Sequence, residues 1–140
     1  MLRVVLDTSV IVTALRSRDG ASFALLQAVR LRLVTPLATP TLFLEYEDVL
    51  KRPDQQKASG LDLGDVDRFL GAFANAIEPV DVHTRWRPQL RDPGDEMVLE
   101  AAINGRADAL VTYNVKDFRE AAPRFGVRVA RPAEILREIM

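Results

Sequence analysis

The chain has 140 residues, 48% of them hydrophobic and 28% charged, with a net charge of −1, a balance that fits one folded domain over residues 1–140 and excludes a disordered chain. It contains no cysteine and a single histidine, which rules out a disulfide framework and a thiolate metal site. No apolar run approaches the roughly 18 residues that span a bilayer, and Met1 leads into strand-like sequence rather than a signal peptide, so a cytoplasmic protein with no membrane partner is expected.

Leu2-Arg3-Val4-Val5-Leu6 is a short apolar run rich in β-branched residues and reads as a buried strand delivering Asp7 to its carboxyl end. Val10 to Leu15 follows as a short helix with Thr8 or Ser9 as its cap, broken by Ser17-Arg18-Asp19-Gly20. Ala21 to Arg32 resumes a helical pattern, and Leu33 to Pro36 is a short strand. Thr39-Pro40-Thr41 starts a helix that places Leu42, Phe43, Tyr46, Val49 and Leu50 at helical spacing and runs to Lys51. Arg52-Pro53-Asp54 ends it, and the polar stretch Gln55 to Gly60 reads as a loop. Asp62 to Ala76 is an amphipathic helix with apolar area to spare, and Ile77 to Val82 alternates weakly as a strand. Asp92-Pro93-Gly94-Asp95 opens a helix that reaches about Asn104 and is closed by Gly105. Ala109 to Thr112 and Val127 to Val129 are strands, and Pro132 to Met140 is a final helix. The alternation indicates an α/β fold with a mostly parallel sheet.

Open parallel sheets bind ligands beyond the carboxyl ends of their strands. Asp7 ends the first strand, and Thr112-Tyr113-Asn114-Val115-Lys116-Asp117 follows a later one, so both belong to that edge. A crossover helix runs antiparallel to the strands, which brings the first turn of the Asp92 helix to the same edge. Asp95 precedes Val98, Leu99 and Ala102 by three, four and seven residues and so lies on the apolar side, whereas Glu96 points to the polar side. On the helix after Thr41, Glu45 and Glu47 border the apolar face from opposite sides, and the helical wheel does not choose between them. Two carboxylates about 4 Å apart repel by about 4 kcal/mol at an effective dielectric near 20. A cluster of three or four therefore requires protons or a cation, and all-oxygen ligands suit Mg²⁺ or Mn²⁺.

Ordinary structural roles compete with this reading. Asp7 and Asp92 can cap helices, Asp95 can close a capping box three residues after Asp92, and Glu45, Glu47 and Asp117 can be surface charges. His83 lacks a histidine or cysteine to pair with and reads as a surface or packed residue, and Trp86 as packing. Arg16 with Arg18, Lys51 with Arg52, and Arg85 with Arg87 and Arg91 form short basic groups, either solvated surface or a phosphate-tracking rim.

The stretches Val5-Leu6-Asp7-Thr8-Ser9-Val10-Ile11, Asp95-Glu96-Met97-Val98-Leu99-Glu100-Ala101-Ala102 and Leu110-Val111-Thr112-Tyr113-Asn114-Val115-Lys116-Asp117-Phe118, with the Glu45 helix, resemble PIN-domain nucleases. The likeness is closest to the PIN-family (VapC-like) toxins of toxin–antitoxin modules. It implies a three-layer α/β/α sandwich around a mostly parallel sheet, Mg²⁺- or Mn²⁺-dependent cleavage of RNA by metal-activated water, a protein antitoxin and a homodimer. The family's acids fall on Asp7, Glu45, Asp95 and Asp117 as catalytic metal ligands, which favours Glu45 over Glu47. Thr8 or Ser9 corresponds to a supporting hydroxyl, with Thr112 beside it. Asn114 stands where many relatives have aspartate, which leaves Asp117 as the fourth acid. The family includes degenerate members, so an RNA- or protein-binding module without catalysis is the alternative.

Two other acid-bearing α/β classes fit less well. A receiver-like signalling domain has an early acid pair and a late lysine after the last strand, where this chain has Arg131-Pro132. An aspartyl phosphatase has Asp-x-Asp after the first strand, and Ser9 occupies the place of the second acid.

Overall fold

A strand apolar on both faces belongs inside a sheet covered on both sides. Leu2–Leu6 is that strand, β1, and Val4, Val5 and Leu6 are fully buried. The computed structural model describes residues 1–83 and 89–140, so Trp86, Arg85 and Arg87 lie outside the described residues. After β1 come α1 (Thr8–Arg16), α2 (Ala21–Arg30), β2 (Val34–Ala38), α3 (Pro40–Leu50), α4 (Pro53–Ser59), α5 (Leu63–Ala76) and β3 (Glu78–Pro79). They are followed by α6 (Pro93–Gly105), β4 (Ala109–Val111), α7 (Val115–Phe118), α8 (Ala121–Arg124), β5 (Arg128–Ala130) and α9 (Pro132–Ile139).

The five strands pair in parallel in the order β3-β2-β1-β4-β5. The chain moves from β1 outward through β2 to β3, then crosses back to β4 on the other side of β1. Right-handed crossovers put the helices of these two excursions on opposite faces, which gives the three-layer α/β/α sandwich. On one face α2 packs against α1, β2 and α9, while α6 lies over β1, β2 and β4. The reversal makes the gap between β1 and β4 the topological switch point, where such sheets open a crevice at their carboxyl ends. Leu6 pairs with Val111, so the residues that follow, Asp7 and Thr112, emerge side by side.

Three local expectations change. The stretch Gln55 to Gly60 belongs not to a loop but largely to α4. Pro53 occupies the first turn, where its missing N–H is harmless, and Gly60 ends the helix with a left-handed φ of 76°. Gly105 is the last residue of α6, and Arg106 takes the left-handed C-cap position at φ 51°. A Cβ on Gly105 would stand 2.9 Å from Val80 Cγ2 and 3.1 Å from Leu37 Cδ1, so the glycine serves close helix–sheet packing. Neither Thr8 nor Ser9 caps α1, because the cap position falls on Asp7, whose side chain makes no capping bond. Among the described residues no helix is long and apolar enough to cross a membrane.

Candidate active site

Asp7 is 5% exposed, a degree of burial that a carboxylate tolerates only with hydrogen-bond donors around it. Two hydroxyls supply them. Ser9 Oγ donates to Asp7 Oδ2 at 2.7 Å from the first turn of α1, and Thr112 Oγ1 donates to the same oxygen at 2.7 Å from the end of β4. Thr112 is fully buried, and its hydroxyl in turn accepts the backbone N–H of Asn114 at 2.9 Å. The backbone reinforces the contact, since Asp7 N donates to Val111 O at 2.9 Å. Both hydroxyls act on one carboxylate oxygen, and no described side chain donates to Oδ1. Among the described residues no buried side-chain oxygen is left without a partner.

The opposite side of Asp7 is built by α3. Tyr46 is buried, and its hydroxyl donates to the Leu6 carbonyl, which fastens α3 to the last residue of β1. Burial first, and the Asp7 carboxylate second, hold the Tyr46 hydroxyl well above its ordinary pKa, so it remains a donor. The sequence pattern places Tyr46 only as a core aromatic. Its polar end becomes meaningful once Leu6 is known to face it.

Asp95 comes from α6, whose first turn is ordered by Asp92. The Asp92 carboxylate accepts from Gly94 N at 2.7 Å and Asp95 N at 3.4 Å, so Asp92 is an N-cap, and no capping box is closed by Asp95. Glu96 instead accepts from the backbone N–H groups of Gln89 and Leu90, which ties the preceding segment to the helix. The Asp95 carboxyl is pushed up to about 6, by burial first and then by the negative fields of Asp7, Asp92 and Asp117. Carboxyl groups from three parts of the chain thus act on Asp95 at the carboxyl edge of β1 and β4. Asp92, Asp95 and Asp117 also line a cleft of about 410 Å³ together with Gln89, Leu90 and Arg91.

The remaining candidates lie around this group. Thr8 begins α1 and is half-buried. Asn114 is exposed at the cap position of α7, and its contact with the site is the backbone bond to Thr112 rather than a side-chain one. Asp117 is exposed on the single turn of α7. Glu45 is half-buried on α3, and its field reaches Arg52 two turns later, whereas the field of Glu45 is not among those acting on Asp95. Glu47 is occupied by an ion pair with Lys51 at 3.0 Å, and Lys51 also meets Asp67 of α5 at 2.8 Å. Among the described residues no three acidic or histidine side chains are spaced to share one metal ion. Asp7, Asp95 and Asp117 are brought within electrostatic reach but not onto a common point.

The basic groups divide. Arg16 donates twice to Gln55 Oε1, at 3.1 and 2.7 Å, Arg52 pairs with Asp48 at 2.8 Å, and Arg18 is exposed. Among the described members of these groups, Arg91 lines the acidic cleft. His83 is exposed, and its backbone N–H bonds Asn104 Oδ1 at 2.9 Å. A second groove, between α2 and α5, is lined mainly by apolar side chains, among them Phe23, Leu26, Phe69 and Phe73, with Gln27 and Arg30 also lining it.

Residues 3–116 match the family described as PIN domain. The match takes in Asp7, Glu45, Asp95 and Asn114 and stops one residue before Asp117. No curated protein matches the chain.

Proposed function

The chain belongs to the PIN domain family, and from that premise we propose that it is a divalent-metal-dependent endoribonuclease whose working edge is the carboxyl end of β1 and β4. PIN domains are generally nucleases that use divalent ions. The observation that carries the reading is that Asp92, Asp95 and Asp117 line one cleft at this edge, where burial first and then the charges of Asp7, Asp92 and Asp117 hold the Asp95 carboxyl up, a strain that a cation would relieve.

The donor set suits such an ion. It consists of carboxylate oxygens, which favour Mg²⁺ or Mn²⁺ over softer metals. Asp7 through Oδ1, Asp95 and Asp117 are the residues that would hold it, and Glu45 from α3 would complete the set or orient the attacking water. When bound, the ion would supply Lewis acidity toward the phosphodiester and lower the pKa of water. The chain's own contribution is orientation. Ser9 and Thr112 fix the Asp7 carboxylate by its inner oxygen, and Tyr46 fixes the strand end that carries it. Asp95 stays deprotonated above pH of about 6, the state in which it is a ligand rather than a donor.

The narrower reading is the toxin of a toxin–antitoxin module, cytoplasmic, with a protein antitoxin and a second copy of itself as partners. Its support is the VapC-like pattern of the Asp7, Asp95 and Asp117 motifs, together with the apolar groove between α2 and α5. A noncatalytic RNA- or protein-binding role is the second reading, favoured by the absence of a closed three-acid cluster among the described residues. Purified protein incubated with single-stranded RNA decides between them. Cleavage in Mn²⁺ that EDTA abolishes, and that Asp7→Asn loses while remaining folded, supports the enzyme. Full Mn²⁺-dependent cleavage by Asp7→Asn would refute the site.

A further inference from the structure

The acidic cleft does not end at Asp117. Gln89, Leu90 and Asp117 also line a neighbouring groove of about 380 Å³, which continues along α7 and α8 past Lys116, Arg119 and Arg124. These three cations are exposed, and none has an ion-pair partner among the described residues. Lys51, Arg52, Arg68 and Arg128 differ in this respect, each being neutralised by a named carboxylate. Glu120 is the one further acid on the groove, so Lys116, Arg119 and Arg124 outnumber the two carboxylates there.

An acidic cleft repels a polyanion, and a substrate strand must be held by charges beside it rather than within it. We propose that Lys116, Arg119 and Arg124 form the track that holds the phosphate backbone of single-stranded RNA on one side of the scissile bond. The proposal rests on the ribonuclease reading above and adds positioning residues to it. These cations lie outside the short basic clusters visible in the sequence. Lys116, Arg119 and Arg124 are spread over nine positions, and the turns of α7 and α8 bring them to one groove. The occupant proposed is one strand, the form of RNA that basic grooves track by its backbone. Arginine and lysine here need make no base contact: they set the register of the strand, and sequence preference would have to come from elsewhere.

The test measures binding of a fluorescein-labelled single-stranded RNA in EDTA as a function of salt. Each phosphate neutralised contributes about 0.7 to the slope of log affinity against log salt for single strands. Arg119→Gln combined with Arg124→Gln should therefore lower that slope by about 1.4 and weaken binding about ten-fold at 0.2 M salt. Arg30→Gln with Arg137→Gln makes the same change in net charge on α2 and α9 and should leave the slope as in wild type. In Mn²⁺, the groove variant should raise KM while kcat stays near wild type. Equal slopes in wild type and the groove variant, an equal loss in the α2/α9 control, or no RNA binding by wild type overturns the track. Wild type that binds RNA with the expected slope change but never cleaves refutes the nuclease reading and leaves the track standing.

Discussion

Thr112 Oγ1 donates a 2.7 Å hydrogen bond to Asp7 Oδ2 across 105 positions of sequence and joins the ends of two adjacent parallel strands. The same hydroxyl accepts from Asn114 N, so a single side chain couples the Asp7 carboxylate to the loop that leads to Asp117. Hydrogen bonds to charged groups contribute about 1.5–3 kcal/mol, and a buried donor left without an acceptor adds its own desolvation. Thr112→Val should lower unfolding stability by about that amount in urea titration, with an unchanged m-value. Thr112→Ser, which keeps the hydroxyl, should recover most of it. Equal stability of the valine variant and wild type would mean that the bond contributes nothing.

Asp95 yields a pH dependence of definite sign. Its carboxyl titrates near 6 when folded against 3.8 as the ordinary value, so between these limits the folded state binds more protons than the unfolded state. Stability associated with this group is therefore fully present below about pH 3.8 and is lost as pH rises through about 6. Asp95→Asn removes the charge and should be more stable than wild type at pH 7.5, with the gap closing as pH falls toward 4. Parallel stability curves for the two proteins over that range would contradict the crowding of acids around Asp95.

Much of this arrangement is legible in the sequence, for physical reasons. The run from Val4 to Leu6 is buried on both faces and so shows no alternation, and the acid that terminates it stands out. The Asp92-Pro93 pair carries a cap signature that fixes where α6 begins, and that start fixes where Asp95 lies. The elements that escape a sequence reading are α4, α7 and α8, of seven, four and four residues. Such short helices have little propensity signal and are held by neighbours: Gln55 of α4 meets Arg16, and Phe118 of α7 is buried in the core. The basic groove beside the acids is invisible for the same reason.

The choice between Glu45 and Glu47 illustrates the other limit. The wheel leaves them equivalent and the family resemblance favours Glu45; in the structure Glu47 is taken up by an i,i+4 ion pair with Lys51, which also meets Asp67 on α5. Glu45→Gln should reduce Mn²⁺-dependent RNA cleavage by about a hundred-fold or more, the usual scale for losing a positioned acid–base group. Glu47→Gln should change it little and instead remove part of a surface ion-pair network, for about 0–1 kcal/mol of stability. Similar cleavage losses in both variants would show that α3 matters for packing rather than for a particular carboxylate.

The central claim is that Asp7, Asp95 and Asp117 form one cation site, and a crystal of the full chain soaked in Mn²⁺ at pH 7.5 tests it most directly. Anomalous scattering should reveal an ion bound by Asp7 Oδ1 and Asp95, with Asp117 turned inward from its exposed position on α7 to the ion or its hydration shell. Ser9 and Thr112 should still hold Asp7 Oδ2. A crystal saturated with Mn²⁺ that shows no ion at this edge, or shows it only at carboxylates elsewhere on the surface, would contradict the account.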